Sequence, residues 1–291
     1  MSVRARQVIV NVAATLCLGG CTLYTYTTFD VDDTAATSAK GINDSGKIVG
    51  TYVPNRSPDR LAPPTLSFIG SVNSQTVAIM RIADPDARET FAYKVDNRGG
   101  GQIVGWSSAK AFISPDGRIF DPINGPDGRP FPAQAYGIND RGNLVGHYVS
   151  NSIGHGFVLP TFLTFDRPNT QDTTVTDINN QQRATGLFVG SDGRNHCFIA
   201  DLNGGFRTID PPNARSAECW GINDAGQVVG WEVSQRDGNI YGFVRDANGR
   251  FTAVHCPGSS FTMPFGINNS GQIVGECVDG RGHRGFLATP M

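Results

Sequence analysis

The sequence predicts an all-β fold, a six-bladed β-propeller of four-stranded blades, and three observations carry that expectation. The string GINDSGKIVG at 41–50 returns as GINDRGNLVG from Gly137, GINDAGQVVG from Gly221 and GINNSGQIVG from Gly266, with degenerate copies at 95–105 and 177–186. A phenylalanine follows each copy, at Phe68, Phe112, Phe157, Phe198, Phe243 and Phe286, spaced 44, 45, 41, 45 and 43 residues apart. The 291 residues include 36 Gly and 17 Pro and are only 17% charged, which suits many short strands joined by tight turns. A unit of this size cannot bury both of its own faces, so its copies must stack.

The chain opens on Arg4 and Arg6, followed by an apolar stretch over 8–18 that is too short to span a bilayer as a helix. Leu18-Gly19-Gly20-Cys21 resembles the lipobox of bacterial lipoproteins, which implies that residues 1–20 are removed and Cys21 is acylated; an ordinary signal peptide is the alternative. Residues 21–291 then form one domain. Removing residues 1–20 takes away two arginines and no acids, leaving 22 − 26 = −4. The basic residues are scattered, so nucleic acid is not expected as a partner.

Within each repeat four strand-like runs follow one another, most clearly at 206–210, 218–222, 227–233 and 241–245. Asn-Asp-x-Gly turns after Ile42, Ile138 and Ile222 join the second and third runs. Asp116-Gly117 and Asn248-Gly249 join the Phe-bearing run to the next, as such dipeptides favour hairpins. The proline-bearing step left over, such as 210–217, becomes the crossover between blades. The inner strand therefore carries Gly-Ile-Asn, the second Val-Gly, the third Phe and the outermost Asp. In this frame the last repeat lacks an outermost strand, and residues 24–31, which end in Thr28-Phe29-Asp30, are a strand without a blade. They are expected to pair antiparallel with the strand around 284–288, closing the ring without an open edge.

The repeated string, together with His155-Gly156-Phe157, His196-Cys197-Phe198 and Tyr241-Gly242-Phe243, resembles the HAF repeat, a family of extracellular repeats named for a His-Ala-Phe-like triplet after G-I-N-x-x-G-x-V-G. The resemblance covers nearly all of residues 21–291 and implies an extracellular repeat protein, with no particular activity attached.

Candidate chemistry is sparse. Asp30, Asp84, Asp121, Asp166 and Asp210, with His255 in the sixth place, close the outer strands, where aspartate ordinarily caps a turn. His155, His196 and His147 form no closely spaced metal-ligand set. No nucleophile motif or phosphate loop stands out, so no catalytic residue, metal or cofactor is assigned. Cys197, Cys219, Cys256 and Cys277 fall near one face, which suggests disulfides in an oxidising compartment. Three connectivities are open, with Cys197–Cys219 and Cys256–Cys277 favoured. The variable loops 54–65, 84–90, 124–134 and 234–239 meet on the same face. Long loops over a rigid scaffold concentrate recognition, so Trp106, His147, Trp220, Trp231, Arg56 and Arg60 mark a possible binding face. These readings point to a monomeric, lipid-anchored, non-catalytic envelope protein that binds a protein or glycan. An extracellular polymer-acting lyase or hydrolase, or a purely structural surface repeat, are the alternatives.

Overall fold

A computed structural model describes residues 3–4, 23–31, 33–55, 63–72, 77–108, 110–125 and 128–291. Cys21, Arg56 and Arg60, and with them the expected lipidation site and the arginines expected on the binding face, lie outside the described residues. Of the expected leader, only Val3–Arg4 is described, a short strand against Ala78 and Ile79.

The rest is all-β. Among the described residues twenty-four strands form six four-stranded antiparallel units. Unit 1 comprises Thr34–Ile42, Lys47–Pro54, Leu66–Val72 and Val77–Ile82; unit 2, Thr90–Val95, Ile103–Ser107, Lys110–Ser114 and Asp121–Pro122; unit 3, Ala133–Ile138, Leu144–Ser150, Ile153–Leu159 and Leu163–Thr164. Unit 4 comprises Asp172–Ile178, Arg183–Val189, Asn195–Asp201 and Gly204–Thr208, and unit 5, Ala214–Ile222, Val228–Ser234, Ile240–Arg245 and Phe251–Val254. Unit 6 takes Phe261–Ile267, Ile273–Asp279 and Gly282–Pro290 from the end of the chain and Tyr24–Phe29 from its beginning, paired from Tyr24↔Pro290 to Phe29↔Gly285. The strand order in each unit is the one that the turn chemistry dictates.

The repeated residues explain the packing. The six phenylalanines of the third strands are buried, as are Ile42, Val95, Ile138, Ile178, Ile222 and Ile267. In five of the units the Phe ring lies on the glycine of the second strand: a Cβ at Gly146 would meet the Gln134 carbonyl oxygen at 2.0 Å and the Phe157 ring at 2.8 Å. That glycine column therefore permits close approach inside a unit. The glycine of Gly-Ile-Asn does the same between units, since a Cβ at Gly266 would lie 3.0 Å from the Gly41 Cα.

Crossovers between units also repeat. Asp33, Asn169, Asn213 and Gly258 take left-handed backbone there, which Asn, Asp and Gly tolerate best. Thr34, Thr170 and Ser259 donate their hydroxyls to the carbonyls of Val31, Arg167 and Cys256 three residues back, fixing the turn.

Candidate functional site

In every inner strand the pairing slips by one residue: between Ala39 and Gly41, Ala92 and Lys94, Ala135 and Gly137, Val175 and Asp177, Cys219 and Gly221, and Pro264 and Gly266. The skipped residues are Lys40, Tyr93, Tyr136, Thr176, Trp220 and Phe265. A β-bulge leaves its extra residue unpaired and re-aims the side chain, and here the re-aimed side chains converge. Tyr93 of unit 2 stacks with Trp220 of unit 5 at 6.3 Å between ring centroids and meets Tyr136 edge-on at 4.8 Å; Trp220 meets Phe265 at 5.5 Å. Lys40 Nζ lies 3.5 Å above the Phe265 ring. The column is thus an aromatic plug holding one amine.

Below the plug lies a small cavity lined by the inner-strand turns of all six units, Ile-Asn-Asp/Asn in five and Val95-Asp96-Asn97 in unit 2. Each turn asparagine works in two directions. Asn223 Oδ1 accepts the Gln227 N–H of its own turn at 3.0 Å, while its Nδ2 donates to the Asn268 carbonyl of the next unit at 3.0 Å. The same link to the next unit runs from Asn43, Asn139, Asn179 and Asn268, the last reaching back to the Asn43 carbonyl. Unit 2 carries Asp96 instead, which has no donor and is served by Arg98 Nε at 2.6 Å. The following residues, Asp44, Asn97, Asp140, Asn180, Asp224 and Asn269, alternate acid and amide. Each donates its backbone N–H to the side-chain oxygen of the next at 2.8–2.9 Å, and Asn269 returns the relay to Asp44. Burial raises the Asp140 carboxyl pKa, but hydrogen bonds from Asn97 and Asn180 outweigh that and hold it below its usual value.

Above the plug is the mouth. Ser38, Phe91, Gln134, Thr174, Glu218 and Met263 stand in register with Thr51, Trp106, His147, Leu187, Trp231 and Glu276 of the adjoining second strands. Phe91 and Trp106 stack at 4.0 Å and 10°. Glu218 accepts from Asn195 Nδ2 at 2.8 Å and Trp220 Nε1 at 3.1 Å; burial raises its carboxyl despite those donors and the nearby Lys40. Glu276 is bonded to His283, and His147 Nε2 is 3.5 Å from Asp172. Burial lowers the Lys40 ammonium to about 8 against the attraction of Glu276 and Glu218, and raises the Tyr93 hydroxyl to about 12.

Of the residues singled out in the sequence, Trp106, His147 and Trp231 stand at this mouth and Trp220 in the plug. Lys40, Tyr93, Tyr136, Phe265, Glu218 and Glu276 escaped notice. For Lys40, Tyr93, Tyr136 and Phe265 the signal is the position before Gly-Ile-Asn or its degenerate copy, where the repeat stops repeating.

The remaining candidates are structural. Two of the histidines have orienting carboxylates: His155 Nδ1 is 2.7 Å from Asp166 and His196 Nδ1 is 2.7 Å from Asp210, while Arg284 takes that role toward Asp30 at 3.0 Å. Sequence spacing conceals these pairs because they join adjacent strands. Asp30, Asp166 and Asp210 therefore bind the third strand, whereas Asp84 caps its turn at the Asp86 N–H. Cys197 and Cys219 are joined, with Cα atoms 5.3 Å apart, across the boundary between units 4 and 5. In place of a second bridge, Cys256 and Cys277 are buried free thiols in contact, packed with Tyr26 and Phe286 as small apolar side chains. Among the described residues no three His, Cys, Asp or Glu side chains are placed to hold a metal ion.

No family model matches the chain, and none of the curated proteins matches it. Solved structures do. The chain is similar to TolB from Acinetobacter baumannii, with 13% identity and a TM-score of 0.52, over 84% of this chain and 64% of that one. It is similar also to a protein assigned as TolB from Agrobacterium tumefaciens, with 9% identity and a TM-score of 0.52, over 89% of this chain and 98% of that one. At such identities the likeness speaks for the fold alone: the chain is an all-β protein of propeller-like architecture.

Proposed function

We propose that this chain is a closed six-bladed propeller of the HAF-repeat kind, secreted and lipid-anchored at Cys21, that binds a glycan or protein partner at the mouth of its central channel without transforming it. Closure is supported by the relay that returns from Asn269 to Asp44 and by Tyr24–Phe29 completing unit 6. The lipobox supports the envelope location.

One observation carries the binding reading. At the bulged position the six units hold Lys, Tyr, Tyr, Thr, Trp and Phe, while the three residues that follow are nearly constant. A fold built by repetition needs the constant residues, so the variable inward column serves something other than the scaffold. Aromatic faces beside carboxylate and amide groups suit the C–H faces and hydroxyls of a sugar or the side chains of a peptide. The test is capture of envelope glycans and proteins by the immobilised full chain. Trp231→Ala is expected to weaken capture by about 2 kcal/mol or more, the scale of an aromatic anchor, with an unchanged urea midpoint. Capture that survives Trp231→Ala intact would contradict the placement of the site.

A second reading is favoured by one feature. Glu218, with its raised carboxyl, shares the mouth with Glu276, a pairing that acid–base chemistry on a polymer would use. Turnover of a polysaccharide that is lost in Glu218→Gln would support that reading over simple binding.

A further inference from the structure

The same bulges that aim aromatic rings inward aim a single primary amine with them. The chain has four lysines, at positions 40, 47, 94 and 110. Lys94 is ion-paired with Asp177, Lys47 donates to the Gly100 carbonyl, and Lys110 is exposed. Lys40 differs from all three. Among the described residues its Nζ has neither a hydrogen bond nor an ion pair, and its contact is the face of Phe265 at 3.5 Å. Glu218 and Glu276 act on it electrostatically, and Glu218 is held in place by Asn195 and Trp220.

We propose that Lys40 is a nucleophilic amine that captures an aldehyde-bearing ligand as a Schiff base at the channel mouth, with Glu218 carrying the protons. The neutral amine attacks the carbonyl carbon while the Glu218 carboxyl protonates the carbonyl oxygen. The ammonium nitrogen of the adduct returns a proton to the Glu218 carboxylate. A second transfer from Glu218 to the carbinolamine hydroxyl releases it as water as the C=N bond forms. The iminium nitrogen then returns its proton to the Glu218 carboxylate, so that amine and aldehyde become imine and water with the acid regenerated and with no oxidant or reductant. A lysine desolvated against aromatic rings is partly neutral near pH 8 and nucleophilic. Burial raises the Glu218 carboxyl above the usual carboxylate range, which favours its proton-carrying form, and aromatic walls shield the imine from water. This inference concerns the chemistry of one amine and holds whichever partner the mouth accepts.

The experiment treats the full chain with 4-hydroxybenzaldehyde and cyanoborohydride and maps the reduced adducts by peptide mass spectrometry. Lys40 is expected to be labelled at least about 10-fold faster than Lys47 and Lys110 at pH 7.5, from its larger neutral fraction, with a rate that rises through pH about 8. Glu218→Gln should slow labelling of Lys40 and leave Lys47 and Lys110 unchanged. Lys40→Met should abolish the fast adduct while the urea midpoint shows that the fold is kept. Labelling of Lys40 no faster than of the exposed lysines would overturn the proposal, and an unchanged rate in Glu218→Gln would overturn the role of Glu218. Neither result bears on partner capture, which the Trp231→Ala variant reads separately.

Discussion

Positions 94 and 177 are where two inner strands lose the repeated glycine, to lysine in unit 2 and aspartate in unit 4, and the two side chains meet at 2.5 Å. Gly137 of the intervening unit makes room, since a Cβ there would lie 2.7 Å from the Asp177 Cα. Asp177 also accepts the Ile178 and Ile222 N–H groups at 2.9 and 3.0 Å, and burial raises its carboxyl in spite of Lys94. Neither substitution makes sense alone. Removing one partner strands a buried charge, at a cost of about 3–5 kcal/mol, whereas removing both is often close to neutral. Lys94→Gly or Asp177→Gly should each lower the urea midpoint strongly, and the double variant, which restores the repeat at both places, should recover most of the loss. Additive losses in the double variant would show that the pair is not the unit of stabilisation.

Among the elements, the strands and their order were legible in the sequence because turn chemistry fixes hairpins locally. Asn-x-x-Gly and Asn-Gly report which runs must be neighbours, and Phe29-Asp30 reports which strand the first segment imitates. The bulges were not legible. A one-residue slip in pairing leaves no mark on an apolar pattern, so nothing in the composition of Lys40 or Tyr136 says that it turns inward. The alternation of Asp and Asn after the turn asparagine is written in the sequence, yet it acquires meaning only when six turns face one another. The asparagines themselves do two jobs that no other side chain combines at that reach. Asn223→Asp should therefore cost about 2–3 kcal/mol, because a carboxylate would face the Asn268 carbonyl without a donor. Unit 2 shows the remedy, with Arg98 two residues after Asp96, so adding Ala225→Arg should recover part of the loss in urea unfolding. A neutral Asn223→Asp would contradict the role given to the relay between units.

For the molecule as a whole, the account rests on six units forming one ring that the first strand closes. That strand buries Tyr24, Tyr26 and Phe29 and brings Asp30 to Arg284, whose side chain is 2% exposed. Burying three aromatic side chains is worth about 5–9 kcal/mol, comparable with the whole stability of an ordinary domain at about 5–15 kcal/mol. The strand also covers an edge that would otherwise offer free backbone groups to other chains. In the proposed ring each unit would support its neighbours, so its effect should reach every unit. The most direct measurement is urea unfolding of residues 21–291 with and without residues 22–32, followed by tryptophan fluorescence for the channel and circular dichroism for the strands. The account predicts that the deletion abolishes or sharply lowers a single coincident transition, and that a synthetic peptide of residues 22–32 added in trans restores it. An unchanged midpoint, or a loss confined to one probe, would contradict closure of the ring by the first strand.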